Sequence, residues 1–247
     1  MITRERLVEE FALLDEKATL LASWGVIPEE ITLYLIGGGN LALRGIKDAT
    51  ADVDVVVENV RVLGFLDEVL TNPSPELKVG PGVRVIYVKK VEHEYKVKLG
   101  AVSVYRKLDP EMRDFNMDVF VKRVLRGLTL SEGMKNRSVL PSEFEDFETL
   151  RVRLVSLEDI FLFKGVTSLG RAKDIDDLLR LLEHGVDFEV MLGELNNQRM
   201  IIGPERFEWL VGLLYEKSLI LRKVLAEKGL RSRALDKFIK ELELSFV

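Results

Sequence analysis

Apolar residues recur every three to four positions at Leu7, Phe11, Leu14, Ala18 and Leu21, which predicts an amphipathic helix over residues 3–24. Past Pro28 the period changes. TLYLI (32–36) is a short apolar strand that runs into Gly37-Gly38-Gly39, residues 40–45 form a short helical turn, and ADVDVVVE (51–58) is a second strand. A helix over about 60–71 stops before the turn-rich NPSPE, and strand-like runs follow at 83–90, 95–106 and 114–121. From Leu157 onward the pattern is helical, ending in a long run from about 204 to 243. Strands in the first part and helices in the second predict an α+β protein. A mixed sheet with flanking helices spans 1–150, a helical C-terminal subdomain spans 151–247, and the acidic stretch PSEFEDFET (141–149) is a solvated junction between them.

Composition narrows the chemistry. The 247 residues contain no cysteine, which removes disulfides, zinc ribbons, iron–sulfur clusters and thiol nucleophiles. The two histidines, His93 and His184, leave little material for a histidine-based metal site or a Ser-His-Asp triad. A metal would therefore be held by carboxylates, which favours Mg²⁺ or Mn²⁺. A net charge of −5 and a pI of about 5.4 argue against a broad nucleic-acid-coating surface. Residues 217–240 are an exception, with eight Lys/Arg (Lys217 among them) against Glu227 and Asp236, a solvated helix face or a landing strip for RNA. The lack of a long apolar run or a signal-like N-terminus predicts a cytoplasmic protein with no membrane partner. High charge, absent Cys and a single Gln (Gln198) are what a thermophile's protein would show. Trp24 and Trp209 sit at helical positions and are expected to anchor the core.

Candidate chemistry is concentrated in residues 35–57. On a strand, positions i and i+2 share a face, so Asp52 and Asp54 project together while Val53, Val55 and Val57 face the core. Paired carboxylates repel unless a cation lies between them. In FNMDVFV, Asn116 and Asp118 share the polar face, and with this strand beside 51–58 Asp118 completes a three-carboxylate cluster able to hold magnesium ions on a triphosphate. Gly37, Gly38 and Gly39 offer backbone N–H groups and close approach to a phosphate. Gly37-x-Gly39-x-x-Ala42 also fits a dinucleotide-binding fingerprint, but about nine residues from Ala42 to the next strand are too few for a crossover helix.

The string Gly37-Gly38…Ala42-Leu43-Arg44…Thr50-x-Asp52-x-Asp54, with a later lone Asp118, resembles the nucleotidyltransferase superfamily of the DNA-polymerase-β-like fold. Within it, the chain is similar to the AbiEii-type abortive-infection toxins and related prokaryotic proteins. A second block carries the same resemblance: Ser156-Leu157-Glu158-Asp159…Lys164, then Arg171-x-Lys173-Asp174-x-x-Asp177-Leu178. Many relatives have Gly-Ser where this chain has Gly37-Gly38, so a phosphate-contacting hydroxyl is missing.

The resemblance implies metal-dependent transfer of a nucleoside monophosphate from an NTP, ATP included, to an acceptor, with release of pyrophosphate. Asp52, Asp54 and Asp118 would bind the metal, and Asp118 would help deprotonate the acceptor. Gly37, Gly38, Gly39, Arg44, Thr50, Lys164 and Arg171 would bind the nucleotide, with Lys164 and Asp174 as catalytic residues of the helical part. A tRNA 3′ end or a protein hydroxyl is the implied acceptor, and a cognate antitoxin the implied partner of a toxin–antitoxin pair. The competing expectation is a non-catalytic member that binds a nucleotide or a partner protein.

Overall fold

A computed structural model describes residues 1–72, 87–90, 103–107, 116–124, 127–167, 169 and 172–244. The expected strand residues 83–86, 95–102 and 114–115 lie outside them. The described residues form an α+β protein that divides into two compact units, Met1–Arg126 with Arg137–Val155, and Gly127–Asn136 with Ser156–Val247.

In the first unit a short pair, β1 (Ile2–Thr3) and β3 (Ala49–Thr50), accompanies a mixed sheet. Across that sheet the order is β5 (Tyr87–Lys90), β6 (Ser103–Lys107), β7 (Asn116–Val121), β4 (Asp52–Val57), β2 (Ile31–Ile36) and β8 (Leu150–Leu154). Alternation decides which face is buried. Leu33, Leu35, Val53, Val55, Val57, Met117, Val119 and Val152 pack with Leu7, Phe11, Leu14, Ala18 and Leu21 of α1 (Arg4–Ser23). Leu66, Val69 and Leu70 of α3 (Val60–Thr71) join the same core. Asn59 caps α3 by accepting from the N–H groups of Arg61 and Val62, both at 3.0 Å. β2 and β4 are antiparallel neighbours joined through α2 (Gly37–Leu43). That excludes the dinucleotide fingerprint, which needs parallel strands linked by a crossover helix.

The stretch 141–149 leaves Ser142, Glu145, Asp146 and Glu148 exposed, as a solvated loop does, but it lies within the first unit and is not a junction. Phe144 is fully buried, with its ring 5.6 Å from Phe11 and 5.0 Å from Phe147. The Asp15 carboxylate accepts from the backbone N–H groups of Glu148 (2.9 Å), Thr149 (3.0 Å) and Leu150 (2.7 Å). This anchors β8, which runs parallel to β2. The boundary expected at 150 therefore falls at 155, because β8 completes the first unit's sheet. LRVRL carries a plain period-two signal, with Leu150, Val152 and Leu154 buried between Arg151 and Arg153.

The second unit holds α4 (Glu132–Arg137) in part, α5 (Leu157–Gly165), α6 (Ala172–Glu183), α7 (Phe188–Ile202), α8 (Pro204–Glu227) and α9 (Arg233–Leu244). The long run 204–243 is two helices, broken where Gly229 takes φ +71°. Phe161, Phe188 and Phe238 form its aromatic centre, with centroids 4.6–6.4 Å apart. Gln198 on α7 draws in 127–136 by pairing with both backbone groups of Thr129, at 3.0 and 2.7 Å. Trp24 and Trp209 are exposed at 46% and 59%, so neither anchors a core. Among the described residues no helix is long and apolar enough to cross a membrane.

Replacing Asp15 with Ala strands three backbone donors and is expected to cost about 3 kcal/mol in urea unfolding. A loss below about 0.5 kcal/mol would show that Asp15 does not hold β8 in place.

Candidate functional site

The site is built where β2 turns into α2. The helix begins at Gly37, three residues earlier than the expected turn at 40, with Gly37 at φ +66°. A Cβ there would stand 2.0 Å from Asp54 Oδ2, so both backbone conformation and contact require glycine. Asn40, fully buried, donates from Nδ2 to Leu35 O (2.8 Å) and Val155 O (3.1 Å), tying α2 to the ends of β2 and β8. At the other end Gly45 takes φ +71°, and Ile46 N–H bonds to Leu41 O (2.9 Å) and Gly45 N–H to Ala42 O (3.0 Å). This reversal ends the helix. The following residues lead back to Gly38, where a Cβ would lie 2.6 Å from Thr50 Oγ1 and 3.8 Å from Lys47 Nζ. Thr50 Oγ1 donates to Asp52 O at 2.8 Å, which holds the hydroxyl in that place. Gly39 is buried against Leu35, where a Cβ would make only ordinary contact at 3.6 Å.

The carboxylates come from two parallel neighbours. β4 and β7 pair with Asp54 opposite Asp118 and Asp52 opposite Asn116. All four side chains stand on the sheet face opposite the valines. Toward the C-terminal ends of these strands the same face becomes apolar, with Val56, Phe120 and Tyr34 buried. Asp118 is itself buried, and burial, followed by the charge of Asp52, pushes its carboxyl up to about 7. Arg106 of β6 donates from Nε to Asn116 Oδ1 at 3.5 Å. Among the described residues no three carboxylate or imidazole side chains are arranged as a ready-made metal site.

Gly37, Gly38, Gly39, Thr50, Asp52, Asp54 and Asp118 thus meet in the first unit. Arg44 caps the opposite end of α2 from the glycines, about 10 Å along a seven-residue helix. Its guanidinium donates to Asn40 Oδ1 and Val155 O, both at 3.0 Å.

Lys164 and Asp174 belong to the second unit, inside a buried network. Lys164 Nζ lies 2.7 Å from Asp177 and 3.6 Å from Asp174. Thr167 donates to Asp174 at 2.5 Å, and Lys217 Nζ donates to Thr167 (2.5 Å) and Lys164 O (2.9 Å). Lys217 is completely buried and so is no part of a basic surface strip, whereas Arg222, Lys223, Arg231, Arg233 and Lys237 are exposed. Arg171 and His93 lie outside the described residues, and His184 is exposed.

Lys47 and Asn40 were not among the sequence-predicted site residues. Lys47 carries no periodic signal, and it approaches Gly38 only because Gly45 reverses the chain. The buried Asn40 stood in plain view directly after the glycines.

The first unit therefore presents a carboxylate-bearing mixed sheet beside a glycine turn. No protein-family model matches the chain, and no curated protein does.

Two outcomes are expected. The Asp118 carboxyl holds its proton in the fold at pH values where the unfolded chain has lost it, so this group lowers stability as pH rises from about 4 to about 7. Asp118→Asn should therefore stabilise the protein at pH 8 in thermal melts across pH 4–8, with the gain fading toward pH 4. A gain independent of pH would contradict the buried-charge account. Separately, Gly38→Ala should cost about 1–3 kcal/mol alone and far less in a Thr50→Ala background. Strict additivity in that double-mutant cycle would mean that Thr50 does not crowd position 38.

Proposed function

We propose that this chain is a metal-dependent nucleotidyltransferase that moves a nucleoside monophosphate from an NTP to an acceptor hydroxyl. The observation that carries the reading is the parallel register setting Asp54 opposite Asp118, with Asp52 on the same face and Gly37 against the Asp54 carboxylate. Like charges so placed are stabilised by a cation, and an all-oxygen donor set suits Mg²⁺ or Mn²⁺. The sheet sets all three side chains on one face of two neighbouring strands, and they would have to turn toward one another to share an ion. Asp52, Asp54 and Asp118 would hold it, and the ion would supply charge neutralisation of the triphosphate and of departing pyrophosphate.

The chain's own groups supply the rest. Gly37 and Gly38 let the Asp54 carboxylate and the Thr50 hydroxyl close in on the backbone of the turn, where its N–H groups would meet a phosphate. Asp118 is suited to take the proton of the acceptor hydroxyl, since it stands on the same sheet face as Asp52 and Asp54. The hydroxyl oxygen bonds to the α-phosphorus as the bond to the bridging oxygen breaks and pyrophosphate leaves. A tRNA 3′ end or a protein hydroxyl is the proposed acceptor, and an antitoxin the proposed partner, on the strength of the resemblance alone. The Lys164–Asp174–Asp177 cluster forms an internal charge network of the second unit.

The test incubates purified protein with each α-labelled NTP, Mg²⁺ and total tRNA, beside an Asp52→Asn/Asp54→Asn variant. Label in RNA or in protein with the wild type alone is the expected result. NTP binding without transfer in any mixture would favour the non-catalytic reading, and absence of both would overturn the three-carboxylate argument.

A further inference from the structure

The glycine turn is bracketed by opposite charges. At Gly37 the neighbour is the Asp54 carboxylate. At the next residue, Gly38, the neighbours are the Thr50 hydroxyl and the Lys47 ammonium. A triphosphate laid along such a turn has a carboxylate-held cation on one side and needs a second positive charge on the other, because three aspartates otherwise repel it. Lys47 is half-buried, at the end of the Gly45 reversal, so its ammonium is delivered by backbone geometry as well as by a flexible stem. The space over Gly38, where a serine would stand in many relatives, is filled from the β3 side by Thr50 Oγ1. The hydroxyl absent at position 38 is thus present within a bond length or two, on another residue. A serine there would collide with it.

From this arrangement we infer that Lys47 is a phosphate-binding residue: its ammonium grips the outer phosphates of the nucleotide beside Gly38, while Thr50, whose hydroxyl proton is held by Asp52 O, shapes the turn. The inference rests on the nucleotidyl-transfer reading and adds to it a residue that no motif marks. It assigns Lys47 to the polyphosphate and not to the base, the sugar or the acceptor. A lysine gripping the outer phosphates holds them alike in the bound nucleotide and during transfer, so its removal should weaken affinity more than turnover.

The experiment compares the wild type with Lys47→Gln, Lys47→Arg and Asp52→Asn/Asp54→Asn, all as full chains with melting temperatures recorded. Binding of inorganic tripolyphosphate, an NTP and the matching NMP is measured with Mg²⁺, and transfer kinetics are followed where label is incorporated. Lys47→Gln should weaken tripolyphosphate and NTP binding at least tenfold, raise KM in step and change kcat less than threefold, while NMP affinity stays within twofold. Lys47→Arg should recover most of the lost affinity. Should Lys47→Gln melt well below the wild type, Lys47→Ala and the salt dependence of tripolyphosphate binding take its place, with a shallower dependence expected once the ammonium is gone.

Wild-type affinity for tripolyphosphate in a folded Lys47→Gln protein would overturn the inference, as would equal losses for NMP and NTP. Tripolyphosphate binding that needs Lys47, in a protein that transfers no label, would uphold the inference and remove the transfer reading. A wild type that binds neither polyphosphate nor NTP would remove both.

Discussion

The parallel pairing of β4 with β7 is the constraint on which the first unit depends. Val53, Val55 and Val57 must face α1 and α3, and so must Met117 and Val119. A slip of one residue in either strand would carry aspartates into the apolar layer and valines out of it, so burial fixes the register. Once the register is fixed, Asp54 has no choice but to face Asp118. The repulsion between carboxylates on this face follows from hydrophobic packing on the other. A sheet built only for stability would place a neutral pair there.

Buried charge is handled differently elsewhere in the molecule. In the first unit's core Glu10 is met by Lys107 and by the Tyr87 hydroxyl. In the second unit Lys164 and Lys217 meet Asp174 and Asp177, with Thr167 closing the network, two charges of each sign. Both clusters are internally compensated, as buried ionic groups must be if they are not to cost several kcal/mol each. Asp118 departs from this pattern. Its raised proton affinity comes from burial and from a second carboxylate, so the environment intensifies the charge problem instead of answering it. A cation held as proposed would relieve that condition.

The turn owes its shape to two glycines used for different reasons. Gly37 combines a left-handed backbone with a carboxylate pressed against its Cα, whereas Gly45 reverses the chain at the end of α2. The seven-residue helix that begins at Gly37 is held by Asn40, whose side chain bridges backbone carbonyls at the ends of β2 and β8. The fold thus sets the Lys47 ammonium and the Thr50 hydroxyl beside Gly38 and the Asp54 carboxylate against Gly37.

Much of this was determined by the chain's own pattern. Period-two alternation in ADVDVVV and FNMDVFV assigns Asp52, Asp54, Asn116 and Asp118 to the polar face of their strands, and the 3.6-residue period assigns α1 and α3 their buried stripes. These properties are local, because side-chain direction in a strand or helix depends only on position. What the sequence could not decide was pairing. That β8 lies beside β2, that Phe144 of the acidic stretch is buried against Phe11, and that β2 and β4 run antiparallel all depend on contacts between residues distant along the chain. Lys47 belongs with these: its approach to Gly38 needs the reversal at Gly45 and the docking of β3, and no spacing rule encodes the sum of the two. Lys164 shows the same limit from the other side. An ammonium in an apolar run either reaches water or meets a phosphate or carboxylate, and only packing against α6 decided that it meets Asp177.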